Sequence, residues 1–489
     1  MVPAHDTNLV DRLNRYSAER PGATAVITPQ RRASWAELDA IVWSAAFRLH
    51  ESGIRAADRI GIAMLHPVGH LVVSLALARI GAAQVALPVI EGKKVNSAIA
   101  ETLGLKRILC DLPKLRDEIP RALLLDSLET RPVAPARKEA IAARDPALTW
   151  LILQSSGTTG SPKFAELSHG DALARFARYL PLFNCTENDI FWPVSRLDFV
   201  VAKQRTVYAM LAGASACLPV GMSLSREMVD FVRQAGVTLA CGTPSHLHQL
   251  VAIGESIPSL RVFEARSAMI DEKLRTSFRT TVSPGLHIVY ATNEADTITL
   301  ADPALQAQVP NTVGRPVAPL EVQVVDGEGR VLPAEQTGEV RVRGPGVASA
   351  YLDNPQATAR SFRDGWFHPG DLAYLTQEGA LVLLGRKDDM MIFDGMNIYP
   401  AEIENALLSH PAVREAAAFP ARHERFQDVP MAAVTLSGSV SERALIEHCR
   451  NLIGIRHPRR VRIVQEFPRN AMGKILKREL VALAAGGAN

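Results

Sequence analysis

The chain is poor in cysteine, in net charge and in long apolar runs, and each shortage removes a class of protein. Five cysteines, Cys110, Cys185, Cys217, Cys241 and Cys449, lie scattered through 489 residues with no CxxC pair. That argues against a disulfide framework or a zinc site and makes a reducing cytoplasm the expected compartment. Lys and Arg exceed Asp and Glu by only 54 to 51, too even a balance for a nucleic-acid-sized basic patch, yet not one that repels an anionic substrate. The opening "MVPAHDTNLV" has no apolar h-region, so no secretory signal is expected. The longest apolar stretch, residues 71–90, is interrupted by Arg79, Gly81, Gln84 and Pro88. It reads as a buried helix running into a buried strand, because Arg near a bilayer centre is costly. No internal repeat or low-complexity tract occurs.

What is present fits a multidomain globular protein. A chain of 489 residues exceeds one core, and 47% hydrophobic with 21% charged residues is ordinary composition. "SWAELDAIVWSAAFRLHES" (34–52) starts on Ser34 with Glu37 three residues on, a capping box, and Gly53 closes it. "DRIGIAML" then reads as a strand, "HLVVSLALARIG" as a helix and "AAQVALPVI" as a strand. That alternation predicts an α/β fold with helix-covered, mostly parallel sheets over the first ~300 residues. From Thr312 the pattern becomes antiparallel, with apolar–polar alternation and Gly-containing turns in "LEVQVVDGEGRVLPAEQTGEVRVRG", predicting a small barrel-like subdomain over about 312–385. After "GRKDDM" a small α+β unit begins, with strand "MMIFDG" and a helix opened by Pro400. The main boundary is expected at residues 385–389.

"SSGTTGSPK" (155–163) follows the buried strand "TWLILQ". A Gly-rich loop leaving a strand directs backbone N–H groups into one concavity, where phosphate oxygens bind. Ser and Thr hydroxyls add donors, Lys163 adds a cation, and Gly157 and Gly160 allow angles a Cβ forbids. It is no Walker A loop, since GxxxxGK[ST] does not fit. A solvent-exposed turn is the plain alternative.

This loop resembles the phosphate loop of the adenylate-forming superfamily, which includes acyl-CoA synthetases, carrier-protein-loading adenylation domains and firefly-type luciferases. Further stretches match in the same order: "YATNE" (290–294), "TGEVRVRG" (337–344), "WFHPGD" (366–371), "GRKDDMMIFDGMNIYPAEIE" (385–404) and "PRNAMGKILKREL" (468–480). "SWAELD" and "GIRAADRIGI" fit the superfamily's N-terminal helix and strand, so the resemblance spans nearly the whole chain.

The resemblance implies ATP-dependent capping of a carboxylic acid with AMP, then thioester formation with CoA and release of AMP and pyrophosphate. It implies an N-terminal AMP-binding domain (1–385), a hinge (386–388) and a mobile C-terminal lid (389–489). Ser155, Ser156, Gly157, Thr158, Thr159, Gly160 and Lys163 would hold the ATP phosphates. Glu294 would help hold Mg²⁺, a hard cation that prefers oxygen. Tyr290 would pack on adenine, Asn293 would offer a donor to phosphate, Asp371 would accept from both ribose hydroxyls, and Arg386 would add a ribose contact. Lys474 is the implied catalytic residue, its ammonium reaching carboxylate and α-phosphate together. Asp388 matches the hinge about which the lid rotates. Gly395 and Asn397 would then line a pantetheine tunnel.

Several positions depart from the superfamily pattern. Phe164 follows Lys163 where Gly is usual, and Ala291 and Asn293 replace the Gly and Thr of Tyr-Gly-x-Thr-Glu. "EARSAMI" (264–270) stands where Ser-Gly-Gly-Ala-Pro-Leu is common, so Arg266 and Ser267, followed by Ala268, replace a glycine-lined pocket end. "WPVSRLDF" (192–199) lacks an aromatic-His pair. These changes predict a compact or polar-substituted acid, with Arg266 and Asp198 as its readers; Arg266 pointing outward is the alternative. His246 and His248 lack a third metal ligand and read as helix surface. The basic run "IRHPRRVR" (455–462) reads as a solvated face or as a clamp for the CoA 3′-phosphate.

Two other functions stay open at this level. A carrier-protein phosphopantetheine arm, on a separate chain, would use the same residues as CoA. A nucleotide-binding homologue without catalysis would explain the substituted Gly and Thr, against which Lys474, Glu294 and Asp371 argue together. No residue points to luciferase-type oxygenation.

Overall fold

The computed structural model describes residues 8–87, 89, 92–113, 122–124, 133–155, 162–266, 270–393, 396–423, 427–469, 475–477 and 479–481. Local signals predicted from the sequence are realised where they are strongest. Ser34 and Glu37 form the reciprocal capping box of the Trp35–Glu51 helix, which buries Leu38, Val42, Trp43 and Leu49 on one side. The following Gly53 takes φ +92°, a conformation that a side chain disfavours.

Two large sheets organise the N-terminal part. The first runs, edge to edge, through Arg315–Pro316, Asp296–Ala301, Leu286–Thr292, Val262–Ala265, Leu239–Gly242, Ile190–Pro193, Ser215–Cys217, Thr24–Ile27 and Arg32–Ser34. Its interior pairings are parallel and its edge pairings antiparallel. The second runs through Ala122–Leu124, Arg107–Cys110, Arg59–Ala63, Ala83–Ala86, Thr149–Ser155 and Lys163–Ser168, parallel except for the last pair. This is the α/β architecture that the alternating pattern predicts.

Two helices, Pro67–Ile80 and Val200–Leu211, lie between the sheets. Every residue from Gly69 to Ile80 and from Ala202 to Leu211 is buried. A single apolar cluster joins both helices to Val26, Phe191 and Leu239 of the first sheet and to Ile60, Leu109 and Leu151 of the second. Each such side chain contributes about 1.5–3 kcal/mol on leaving water.

The antiparallel segment forms a third sheet from Glu321–Val325, Gly338–Arg343, Phe362–Arg363, Trp366–Phe367, Asp371–Leu375 and Leu381–Arg386. Residues 315–316 belong instead to the edge of the first sheet, so this sheet begins at Glu321, later than the expected 312. A fourth sheet, from Met391–Phe393, Met396–Ile398, Val413–His423, Gln427–Leu436 and Arg460–Ile463, carries its own core of Met391, Ile403, Leu407, Val434, Leu445 and Val461. Its first helix, Pro400–Leu408, opens on proline, where the missing N–H costs nothing. No helix of the described residues is long and apolar enough to cross a membrane. All five cysteines are buried and none is in a disulfide.

Candidate active site

The ends of strands Thr149–Ser155 and Leu286–Thr292 meet where Asn293 reaches Gln154, and in such folds a ligand crevice is expected at the carboxyl ends of the strands. Thr149–Ser155 buries Trp150 to Leu153, which fixes where the glycine-rich loop departs. Ser155 pairs in register with Lys163 on the returning antiparallel strand, so the loop closes a hairpin. Ser156, Gly157, Thr158, Thr159 and Gly160 lie outside the described residues, as do Ser267, Ala268, Gly395 and Lys474. Phe164, bulky where glycine is usual, points into the core with Val85, Ile108 and Ile152, so the substitution is absorbed by packing.

Asn293 ties the two sheets at this edge. Its side-chain amide donates to the carbonyl of Gln154 at 2.6 Å, one residue before the loop, so in this conformation that donor is already engaged. Next to it, Glu294 is buried and accepts a hydrogen bond from the Tyr351 hydroxyl at 2.7 Å. Burial and the Glu294 charge raise the Tyr351 pKa, which keeps its phenol protonated as a donor. The Lys163 ammonium sits 5.1 Å over the Tyr351 ring. Burial first, then the Arg360 charge, lowers the Lys163 pKa, while Glu294 opposes them.

Two arginines that the sequence reading did not select hold this turn in place. From the His169–Phe183 helix, Arg175 donates to the carbonyls of Asn293 at 3.1 Å, Glu294 at 2.6 Å and Gly346 at 2.7 Å. One turn on, Arg178 donates to the carbonyl of Ala295 at 2.8 Å and to that of Pro345. Both are buried. Two arginines three apart on an apolar helical face were the available signal.

The second carboxylate lies on the third sheet. Asp371 accepts from the Tyr290 hydroxyl at 2.5 Å and from Arg386 at 3.1 Å, its cross-strand partner. The Tyr290 ring is buried with Ile298, Val313 and Leu320. Burial and the Asp371 charge raise its pKa well above the ordinary tyrosine value. Gly370 is required beside them: its φ is +80°, and an added Cβ would stand 3.1 Å from the Arg386 guanidinium. Asp388 follows in the short Lys387–Asp389 turn, whose Lys387 pairs with Glu339 at 3.1 Å.

Arg266 and Asp198, the expected readers of the acid, are both engaged by neighbouring charges. Arg266 is buried and bound to Glu264 at 2.5 Å, to the Thr297 hydroxyl at 3.1 Å and, at 3.7 Å, to Asp296. It neither points outward nor ends a pocket with an unpaired charge, because two carboxylates are already packed against it. Arg205 completes the tetrad, with both Glu264 oxygens at 3.1 and 2.9 Å, Asp296 at 2.6 and 3.0 Å and Thr297 at 2.8 Å. Asp198 is buried and its carboxylate is taken by Arg196. His246 caps its own helix by accepting from the Thr243 amide at 3.2 Å, as helix rather than metal chemistry. In the basic run, Arg456 pairs with Glu402 at 3.2 Å and Arg459 stacks over Phe393 at 4.6 Å.

Among the described residues no three His, Cys, Asp or Glu side chains converge as a metal cage. Glu294 still fits Mg²⁺: it is a hard oxygen donor beside the loop's start, and such an ion is commonly held by one or two carboxylates plus phosphates.

Comparison with known proteins agrees with this geometry. A family model described as AMP-binding enzyme matches residues 13–352, and one described as AMP-binding enzyme C-terminal domain matches 402–474. An indoleacetate–CoA ligase from Aromatoleum aromaticum is 28% identical over 98% of each chain. A 2-succinylbenzoate–CoA ligase from Bacillus cytotoxicus is 32% identical over 67% of this chain and 69% of its own. The structure of O-succinylbenzoate coenzyme A synthetase from Bacillus subtilis, in complex with ATP and magnesium ion, superposes with a TM-score of 0.86 at 25% identity, covering 96% of this chain and 98% of that one.

Proposed function

This chain belongs to the AMP-binding enzyme family, and from that premise we propose which of its residues do the chemistry. It is an AMP-forming acid–thiol ligase. The carboxylate oxygen of an acid attacks the α-phosphorus of ATP and pyrophosphate leaves; the thiol sulfur of CoA then attacks the acyl carbon and AMP leaves.

The observation that carries the assignment of roles is the convergence of two buried carboxylates, Glu294 and Asp371, each with a tyrosine donor, on the edge where the 155–163 loop departs. Each keeps acceptor capacity for a ligand, since every carboxylate oxygen has two lone pairs. Asp371, held by Tyr290 and Arg386, accepts from the ribose hydroxyls. Loop residues 155–160 and Lys163 hold the phosphates. Glu294, oriented by Tyr351, would hold Mg²⁺, which when bound would supply charge neutralisation on the phosphates. Lys474 brings a cation to the carboxylate and α-phosphate as their charges approach. The lid, residues 389–489, turns about Asp388 between the two half-reactions and presents Gly395 and Asn397 to the thiol.

A carrier-protein arm offers the same thiol as CoA, and a thioester assay with each acceptor separates them. A reducing cytoplasm suits the five buried thiols. The deciding experiment is acid-dependent ATP–pyrophosphate exchange by the wild type and Lys474→Ala. Exchange should fall by about 10²–10³ in the variant with an unchanged melting temperature; undiminished exchange would refute the role given to Lys474.

A further inference from the structure

The Val200–Leu211 helix carries Lys203, Gln204, Arg205 and Thr206 in succession, all buried between the sheets. Lys203 and Arg205 project to opposite sides of it. Arg205 faces the first sheet and is matched by two carboxylates. Lys203 faces the second sheet, where among the described residues it donates to the side-chain carbonyl of Gln84 at 3.4 Å and forms no ion pair. That carbonyl already accepts from Ser74 at 2.5 Å. Beside Lys203, His70 is buried, with the backbone of Met64 against its ring and no side-chain hydrogen-bond partner among the described residues. Arg196, partly exposed, reaches the same place. One described carboxylate, Asp198, faces these three basic groups, and Arg196 takes both of its oxygens.

A buried ammonium without a close counter-ion is costly. The cluster stands on the functional edge. His70 begins the helix that follows strand Arg59–Ala63, Gln84 lies in the strand paired with Thr149–Ser155, and Arg196 and Asp198 follow the end of strand Ile190–Pro193.

We propose that the Lys203 side of this helix binds a second negatively charged group of the acid substrate, remote from the carboxyl that is activated, and that Lys203 and His70 select for it. The inference rests on the acid-activating reading above and deepens it: the substrate class is an acid carrying an additional oxyanion. The charge that the sequence assigns to Arg266 as a reader is supplied by Lys203 instead. Burial lowers the Lys203 pKa to about 7, against the opposing pull of Asp198, and an arriving anion restores the ammonium. Burial, then the Lys203 charge, keeps His70 neutral, with one N–H to donate.

The test is exchange by the full chain with matched acids, hexanoate against adipate and benzoate against isophthalate, in the wild type, Lys203→Met and Lys203→Arg. The dicarboxylate-to-monocarboxylate ratio of kcat/KM should fall roughly tenfold or more in Lys203→Met and recover in Lys203→Arg. Melting midpoints with each acid and no ATP provide a readout independent of adenylation. A dicarboxylate-specific rise in the wild type that Lys203→Met loses supports the site, even where no acid supports exchange; that second result would count against acid activation instead. Equal kcat/KM ratios in wild type and Lys203→Met overturn the inference. So does the absence of any dicarboxylate-specific midpoint rise in a wild type that exchanges with no acid. Should Lys203→Met fail to fold, His70→Phe is expected to show the same selective loss, and an unchanged ratio there overturns the inference equally.

Discussion

The two sides of one buried helix treat positive charge in opposite ways. Toward the first sheet, Arg205 and Arg266 meet Glu264 and Asp296 in a closed set of four charges, with Thr297 adding hydrogen bonds. The Arg205 guanidinium overcomes the burial penalty and holds Asp296 well below the usual carboxylate range. Asp296 sits at φ +59° two residues after Glu294, so the tetrad fixes the strand turn that carries Glu294. Toward the second sheet, Lys203 has one distant contact and no such match among the described residues. The difference teaches that burial alone does not make a charge structural. A neutralised cluster positions the backbone; an unmatched cation at a crevice is a cost that binding can offset.

The largest expected effect breaks the matched side. Arg205→Met leaves Glu264 and Asp296 with Arg266 alone, and denaturant unfolding should show a loss of about 3–5 kcal/mol or failure to fold. Glu294→Gln keeps the tetrad and removes only the neighbouring charge. Its exchange activity should drop by roughly 10²-fold with little change in melting temperature, which separates the scaffold from the chemistry it positions.

Lys203→Met sharpens the comparison by its opposite sign. Replacing an unmatched buried cation by an apolar chain should raise stability by about 1–3 kcal/mol near neutral pH, since Arg196 remains to pair Asp198. Its pH dependence follows from the lowered pKa. Between about 7 and the ordinary lysine value, the unfolded chain holds a proton that the folded chain has lost, so this group makes wild-type stability rise with pH across that window. Below it both states are protonated and the slope vanishes. The advantage of Lys203→Met should therefore shrink as pH climbs above 7, measured as paired unfolding curves. The smallest effect belongs to Arg456→Ala, whose half-exposed pair with Glu402 should be worth less than about 1 kcal/mol.

Much of the site was legible because its residues sit in short local patterns. Lys163, Tyr290, Glu294, Asp371 and Arg386 are each read from a few neighbours, and the structure brings them to one edge. Tyr351, Arg175 and Arg178 were not found, since their role is to hold Glu294 and its backbone from segments over a hundred residues away for the arginines and 57 away for the tyrosine. The ion pairs of Arg266 were hidden for a related reason. Its place in a motif said that it replaced glycine, but not that Glu264 and Asp296 stood ready to neutralise it.

The sequence by itself determined the order of helices and strands, the capping box at Ser34, the hairpin segment after Glu321 and the family to which the chain belongs. These depend on contacts between near neighbours and on periodicity. Only the tertiary structure decided that "AKQRT" in the Val200–Leu211 helix is interior on every side. Periodicity tells which residues share a face, whereas what covers that face is set by two sheets assembled from distant strands, and on that covering depends whether a charge is solvated, neutralised or left waiting for a ligand.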